Sequence, residues 1–151
     1  MVRVRPYITS DRPFVFSLAP RLAIGMPPWR DRELWLTAVE GWITGSLDTD
    51  NESTAVFIAE NEHSEPLGFA TVSPDTHFTG QRQASIGELA TLEMAEGQGV
   101  GTMLVEACEE WAREQGYAIL ALATGAGNVR ALGFYHHLGF EDEDVKLIKQ
   151  L

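Results

Sequence analysis

A glycine-rich turn joins an apolar strand to an amphipathic helix, and this junction constrains the fold more than any other feature of the sequence. Residues 97–101 (GQGVG) place a glycine at every second position. Apolar side chains then recur at helical spacing, at Val100, Met103, Leu104, Ala107, Cys108 and Trp111. The pattern predicts a helix that begins at the turn and stops at Gly116. Because the first N–H groups of a helix are unpaired and its dipole is positive there, the turn predicts an anion site.

Strand and helix patterns alternate along the rest of the chain. Strands are expected at residues 2–5, 54–60, 66–72, 84–92, 117–123 and 145–151. Helices are expected after Ser10–Pro13, from Asp31 or Arg32, after the glycine turn, and from Asn128 to Leu138. The resulting order, βααβββαβαβ, predicts an α/β fold in which helices flank a mixed, mostly antiparallel sheet. A length of 151 residues fits a single domain, 1–151.

The charge balance excludes some partners. The chain has 22 acidic and 11 basic residues, a formal net charge of -11. Since each phosphate contact needs a cation, we expect no nucleic-acid and no membrane partner. The N-terminal residues lack the apolar stretch of a signal peptide, which predicts a cytoplasmic protein. The lone cysteine, Cys108, excludes an intramolecular disulfide, and no metal site is expected.

Two familiar phosphate-binding motifs do not fit the turn. The P-loop requires a lysine before Ser or Thr, and no lysine precedes Thr102. The dinucleotide motif requires a glycine at the position of Thr102. With no Lys or Arg in the turn itself, any bound pyrophosphate must be held mainly by backbone N–H groups.

Two other motifs carry a family resemblance. Residues 95–101 resemble the (Arg/Gln)-x-x-Gly-x-(Gly/Ala) loop of the GCN5-related N-acetyltransferases, the GNAT superfamily. Residues 128–140 resemble the motif that follows it there, Asn-x-x-Ala-x-x-(Leu/Phe)-Tyr-x-x-Leu-Gly-Phe. The order of predicted elements also matches that family. The chain departs from the pattern at Glu96, which replaces Arg or Gln and is expected to point to solvent.

The resemblance implies acetyl-CoA as acyl donor, and it assigns residues to each part of that molecule. Leu89, Ala90 and Thr91 would pair with the pantetheine arm as a neighbouring strand does. The pyrophosphate would accept hydrogen bonds from the segment that comprises Gly97, Gln98, Gly99, Val100, Gly101 and Thr102. Asn128 would contact the pantetheine region, or serve only as a helix cap. By sequence position rather than by the resemblance, Arg113 and Arg130 are the nearby cations that could assist the phosphates, and Arg130 is favoured because it lies beside Asn128.

The resemblance also implies a direct attack of a primary amine on the thioester, within a ternary complex. Tyr135 would donate a proton to the leaving thiolate; the alternative is a core tyrosine. Glu88 would accept the proton of the amine; the alternative is a solvated carboxylate. The N-terminal helices, with Trp29, Trp35 and Trp42, would form one side of the acceptor pocket. By their position, Trp35 and Trp42 are expected in the core and Trp29 at the surface.

Other functions remain open from the sequence. The domain could be a catalytically inactive acyl-CoA-binding sensor, in which Tyr135 and Glu88 are dispensable, or it could transfer a different acyl group. The acceptor amine could be a small molecule or a peptide, and the acid excess favours a cationic one. Members of the family often dimerise, so a homodimer is also open.

Overall fold

Five strands form one sheet, and their order across the sheet is their order along the chain. The computed structural model describes residues 1–48 and 53–151. The strands are β1 (Arg3–Pro6), β2 (Ala55–Glu60), β3 (Pro66–Thr76), β4 (Arg82–Thr91) and β5 (Leu120–Ala121). Neighbours from β1 to β4 pair antiparallel, whereas β5 runs parallel to β4. The sheet is therefore mixed and mostly antiparallel, as predicted.

Among the described residues, four helices flank the sheet, and polar side chains begin two of them. They are α1 (Arg12–Ser17), α2 (Arg32–Leu47), α3 (Val100–Glu114) and α4 (Val129–His137). Short 3-10 turns cover Thr9–Asp11, Ala19–Ala23 and Glu93–Ala95. Asp31 caps α2 by accepting the N–H of Leu34, and Asn128 caps α4 by accepting that of Ala131. The predicted starts of α2 and α4 are therefore confirmed.

The two faces of the sheet bury separate apolar cores. Because side chains alternate along a strand, Phe69 and Ala70 of β3 belong to opposite cores. Phe69 packs with α1 and α2, where Val39 and Ile43 are fully buried. Ala70 lies in the core that α3 covers with residues such as Leu104. The sheet is thus enclosed by α1 and α2 on one side and by α3 on the other.

The C-terminal strand prediction was wrong, and β5 is shorter than predicted. Residues 145–151 form neither helix nor strand, and the side chains of Val145 and Leu147 are 80% and 87% exposed. An alternating pattern yields a strand only where a sheet edge pairs with it, and none pairs with this segment. The strand predicted at 117–123 is reduced to Leu120–Ala121, since β4 pairs with these two residues alone.

Candidate active site

A cleft opens where β4 and β5 part. The two strands pair only at Ala84 with Leu120 and Ser85 with Ala121, so the rest of this edge of β4 has no strand partner among the described residues. The cleft has a volume of about 1520 Å³ and reaches from α2 to the glycine turn before α3. It leaves backbone groups of β4 available to an extended ligand.

The structure brings the predicted site residues together in this cleft, except Gln98 and the predicted pocket residue Trp29. Those that line it are Glu88, Leu89, Ala90, Thr91, Gly97, Gly99, Val100, Gly101, Thr102, Asn128, Arg130 and Tyr135. Gln98 does not line it, because its side chain turns back and donates to the carbonyl of Met94 at 3.2 Å. Residues from three separate segments of the chain therefore share one site.

The backbone of the glycine turn leaves space beside it for a ligand. Gly97 and Gly99 have φ of +78° and +80°, a conformation that side chains disfavour, and a Cβ on either would meet no atom within 4 Å. Gly99 is the N-cap of α3, so the N–H groups of the first turn lack helical partners. Gly101 has a different role, since a Cβ there would lie 3.0 Å from the Phe134 ring. This open, amide-lined space is suited to an anion.

Glu96 does not point to solvent as expected. Its carboxylate forms ion pairs with both Arg21 and Arg130. The hydrogen bond from Arg21, more than that from Arg130, holds the pKa of the Glu96 carboxyl below its ordinary value. The negative charge of Glu96 is thus balanced by two guanidinium groups.

The two walls of the cleft also touch through their backbones. A Cβ on Gly25 would lie 2.5 Å from the Asn128 nitrogen, and one on Gly127 would lie 2.7 Å from the Gly25 oxygen. Arg21, four residues before Gly25, donates through Nε to the carbonyl of Thr91 at 3.1 Å. The segment after α1 therefore bridges the end of β4 and the start of α4.

Glu88 is a buried carboxylate at the floor of the cleft. It is only 5% exposed, which excludes the solvated alternative. Thr71 donates its hydroxyl to Oε2, and Ser46 Oγ lies 3.2 and 3.1 Å from Oε1 and Oε2. Burial raises the pKa of the Glu88 carboxyl above its ordinary value, and the Thr71 and Ser46 hydrogen bonds partly offset that effect. A carboxylate of raised pKa in a cleft is suited to proton transfer.

Tyr135 faces the same cleft from α4. Its ring packs against Phe134 and Phe140, with centroids 5.2 and 5.6 Å apart. Burial, followed by the neighbouring Cys108, raises the pKa of the Tyr135 phenol to about 12. The phenol therefore stays protonated at neutral pH and is able to act as a donor.

α2 and the C-terminal segment line the other end of the cleft. The residues of α2 there include Trp35, Gly41, Trp42, Gly45 and Ser46. Trp42 is 61% exposed, so its predicted core position was wrong; one side of it borders the cleft instead of packing inside. Lys146 joins from the C-terminal segment. Sequence reasoning did not single out Arg21, Ser46, Thr71 or Lys146, since no motif marks them.

Within residues 1–48 and 53–151, no three His, Cys, Asp or Glu side chains lie together as a metal ion would require. No helix in the same ranges combines the length and apolar character needed to cross a membrane.

In this α/β fold, a parted β4–β5 edge beside a glycine-initiated helix forms a cleft with an anion site at one end and open strand backbone along its side. Comparison with known proteins gives the family. The Acetyltransferase (GNAT) family model matches residues 14–140. The chain belongs to the Acetyltransferase (GNAT) family.

Three individual proteins that are similar to this chain share 20–27% sequence identity with it. An L-methionine sulfoximine/L-methionine sulfone acetyltransferase of Pseudomonas aeruginosa is 27% identical over 114 residues, which is 75% of this chain and 64% of that protein. The fold is similar to a putative acetyl transferase from Pyrococcus furiosus, with a TM-score of 0.80, 20% identity and full coverage of both chains. It is also similar to AAC(6')-Iy in complex with the bisubstrate analogue CoA-S-monomethyl-acetylneamine, with a TM-score of 0.70, 20% identity and coverage of 100% and 99%.

Proposed function

We propose that this chain, acting as a single N-acetyltransferase domain of residues 1–151, moves an acetyl group from acetyl-CoA to a primary amine by direct attack in a ternary complex. One observation carries the proposal: a single cleft contains the amide-lined glycine turn, the buried carboxylate of Glu88 and the phenol of Tyr135. These are an anion site, a base and an acid, the groups that acyl transfer from a thioester to an amine requires.

The cofactor end is built mainly from backbone. Acetyl-CoA supplies an activated acyl group as a thioester. The N–H groups from Gly97 to Thr102 would bind its pyrophosphate, and Leu89, Ala90 and Thr91 would hydrogen-bond the pantetheine arm along the open edge of β4. Asn128 already caps α4 through its side chain, so its contact with the arm would use its remaining groups. The complex of AAC(6')-Iy with a CoA bisubstrate analogue supports such use of this fold.

Glu88 is the proposed base. Its position on the sheet, fixed by Thr71 and Ser46, allows it to attract an ammonium group and then accept its proton. The raised pKa strengthens Glu88 as a proton acceptor while leaving it able to ionise. The charge of the chain agrees with this, since a net charge of -11 draws a cationic amine toward the protein.

Tyr135 is the proposed acid. Its phenol is protonated at neutral pH, as tyrosine phenols ordinarily are, and it faces the cleft from the helix that follows β5. A phenol in this place would donate to the leaving thiolate of coenzyme A, which otherwise departs as an anion into a partly apolar site.

The acceptor end accommodates a small molecule or the end of a peptide. Trp35 and Trp42 provide flat apolar surface, and Ser46 and Glu88 provide polar groups. The Pseudomonas aeruginosa relative is named for acting on L-methionine sulfoximine, so amino-acid-like amines belong among the acceptors tested first. We expect the protein to act in the cytoplasm. Light scattering, which measures molar mass in solution, tests whether it forms a homodimer.

The first experiment measures thiol release from acetyl-CoA with a panel of amines for wild type and Tyr135→Phe. We expect wild-type turnover with at least one amine, and kcat lower by roughly 10²-fold in the variant, because one proton donor is removed. Tyr117→Phe is the matched control, since that phenol stacks on Trp111 outside the cleft. Unchanged turnover in Tyr135→Phe would remove the acid role. Tight coenzyme A binding without turnover on any amine would favour the sensor function.

A further inference from the structure

Glu96 lies between two arginines that come from opposite walls of the cleft. Arg21 belongs to the 3-10 turn Ala19–Ala23, and Arg130 belongs to the first turn of α4. Both guanidinium groups form ion pairs with the one carboxylate, and all three residues line the cleft. Glu96 immediately precedes Gly97, so the three charges sit at the entrance to the amide-lined glycine turn.

The arrangement matches the recognition of an anion. A guanidinium binds carboxylate and phosphate oxygens with the same planar fork of N–H groups, so a site built for one also accepts the other. Each guanidinium has more N–H groups than its ion pair with Glu96 uses, so the pair can also donate to the oxygens of a second anion.

The two arginine side chains differ in their exposure to solvent and in the number of contacts that fix them. The Arg130 side chain is 71% exposed, and exposed ion pairs contribute little, so water and ligands compete easily for it. The side chains of Arg21 and Glu96 are each 24% exposed. Arg21 is also fixed by its hydrogen bond to the Thr91 carbonyl. Glu96 and Arg130 can therefore separate while Arg21 keeps its place beside β4.

We propose that Glu96 is a gate whose carboxylate occupies, between Arg21 and Arg130, the position that the pyrophosphate of coenzyme A takes on binding. Entry of the pyrophosphate displaces Glu96 and transfers both guanidinium groups to the phosphate oxygens. This rests on the proposed use of acetyl-CoA and adds Arg21 to the residues that bind it. The gate lowers the affinity for an acyl carrier with a pyrophosphate and leaves that for pantetheine alone unchanged, because only the former must displace the carboxylate.

The test compares Glu96→Gln with wild type in titrations of coenzyme A and of pantetheine, which lacks the pyrophosphate. Removing the competing charge is expected to tighten coenzyme A binding about three- to tenfold, with no change for pantetheine. Arg21→Gln and Arg130→Gln are expected to weaken coenzyme A binding and leave pantetheine unaffected. Thermal unfolding of each variant shows that it is folded.

The matched control is Glu93→Gln, which removes the same charge from the same end of the cleft. Glu93 lines the cleft and has no ion pair among the described residues. Its effect on coenzyme A affinity should be less than about twofold if the position between the arginines, and not general charge, matters. Weaker or equal coenzyme A binding by Glu96→Gln overturns the gate, since Glu96 then positions the arginines or is passive. A wild-type protein that binds no coenzyme A overturns both the proposed function and the gate.

Discussion

At the scale of single residues, Glu88 shows how burial raises the pKa of a carboxyl group. A carboxylate that is only 5% exposed lowers the stability of the fold when it is ionised, and hydrogen bonds from Thr71 and Ser46 offset only part of that cost. Its position just before the glycine turn made Glu88 a candidate from sequence alone. The two hydroxyl partners come from β3 and α2, so no local pattern indicated them.

Replacement of Glu88 by glutamine is expected to raise stability and abolish activity. The pKa of the Glu88 carboxyl is higher in the folded protein than in the unfolded chain, so protonated Glu88 favours folding at low pH. This contribution to stability is lost as the pH rises through the pKa of the folded state. At neutral pH, Glu88→Gln should therefore gain about 0.5–2 kcal/mol in the free energy of unfolding. The gain in the free energy of unfolding should disappear as the pH falls to 4.5, the ordinary pKa of a glutamate carboxyl.

Urea unfolding at several pH values measures this difference. Glu106→Gln, at an exposed position on α3, is the control and should show no comparable gain. A loss of stability in Glu88→Gln that persists at all pH values would mean that the hydrogen bonds outweigh the buried charge. In the same variant, loss of turnover with retained coenzyme A binding is the outcome expected of a base.

At the scale of elements, irregularities in regular structure shape the site. Ile86 pairs with Val72 and Leu89 with Ala70, so Gly87 and Glu88 together stand opposite Thr71. Such a bulge re-aims side chains, and here it accompanies the contact of Glu88 with Ser46 of α2. Alternation in residues 84–92 predicted the strand but not the extra residue, because a bulge depends on the register with its neighbour.

Two glycines in α2 are the clearest prediction at this scale. Gly41 and Gly45 are four residues apart, line the cleft, and have nothing within 4 Å of an added Cβ. Alanine at either position should raise the free energy of unfolding by about 0.5–1 kcal/mol, since glycine is a poor helix former. It should also narrow the cleft and lower kcat/KM for bulky amines more than for small ones.

The control for these variants is Gly133→Ala in α4, where a Cβ also meets nothing within 4 Å but the residue does not line the cleft. It should raise stability to a similar extent and leave kcat/KM unchanged. Equal kcat/KM for wild type, Gly41→Ala and Gly45→Ala across amines of different size would show that the space beside α2 is not used by the acceptor.

At the scale of the whole molecule, the net charge of -11 would affect the two proposed substrates in opposite ways. Coenzyme A is a polyanion, so the general field opposes it, and the local arginines and the amide-lined turn must overcome that field. A cationic amine is attracted by the same field. The acid excess thus agrees with a cationic acceptor and gives no support to cofactor binding.

Salt should therefore slow the reaction of a cationic amine. Raising the ionic strength from about 0.01 to about 0.5 M shortens the screening length from roughly 30 Å to below 8 Å, so kcat/KM for a cationic amine should fall. The control is a zwitterionic amino acid as acceptor under saturating acetyl-CoA. For this acceptor, the slope of kcat/KM against ionic strength should be close to zero. Identical slopes for both acceptors would show that long-range charge does not guide the amine.

The sequence by itself determined the elements whose signals are local. The glycine turn, the helix after it, the Asn128 cap and the family motifs are properties of short segments, so their positions followed from spacing and capping chemistry. Tertiary structure alone decided what depends on distant partners. Residues 145–151 form no strand because no sheet edge pairs with them, and Trp42 is exposed. Glu88 is buried between β3 and α2, and Glu96 lies between Arg21 and Arg130. The physical reason is that pairing, burial and charge balance are set by neighbours in space.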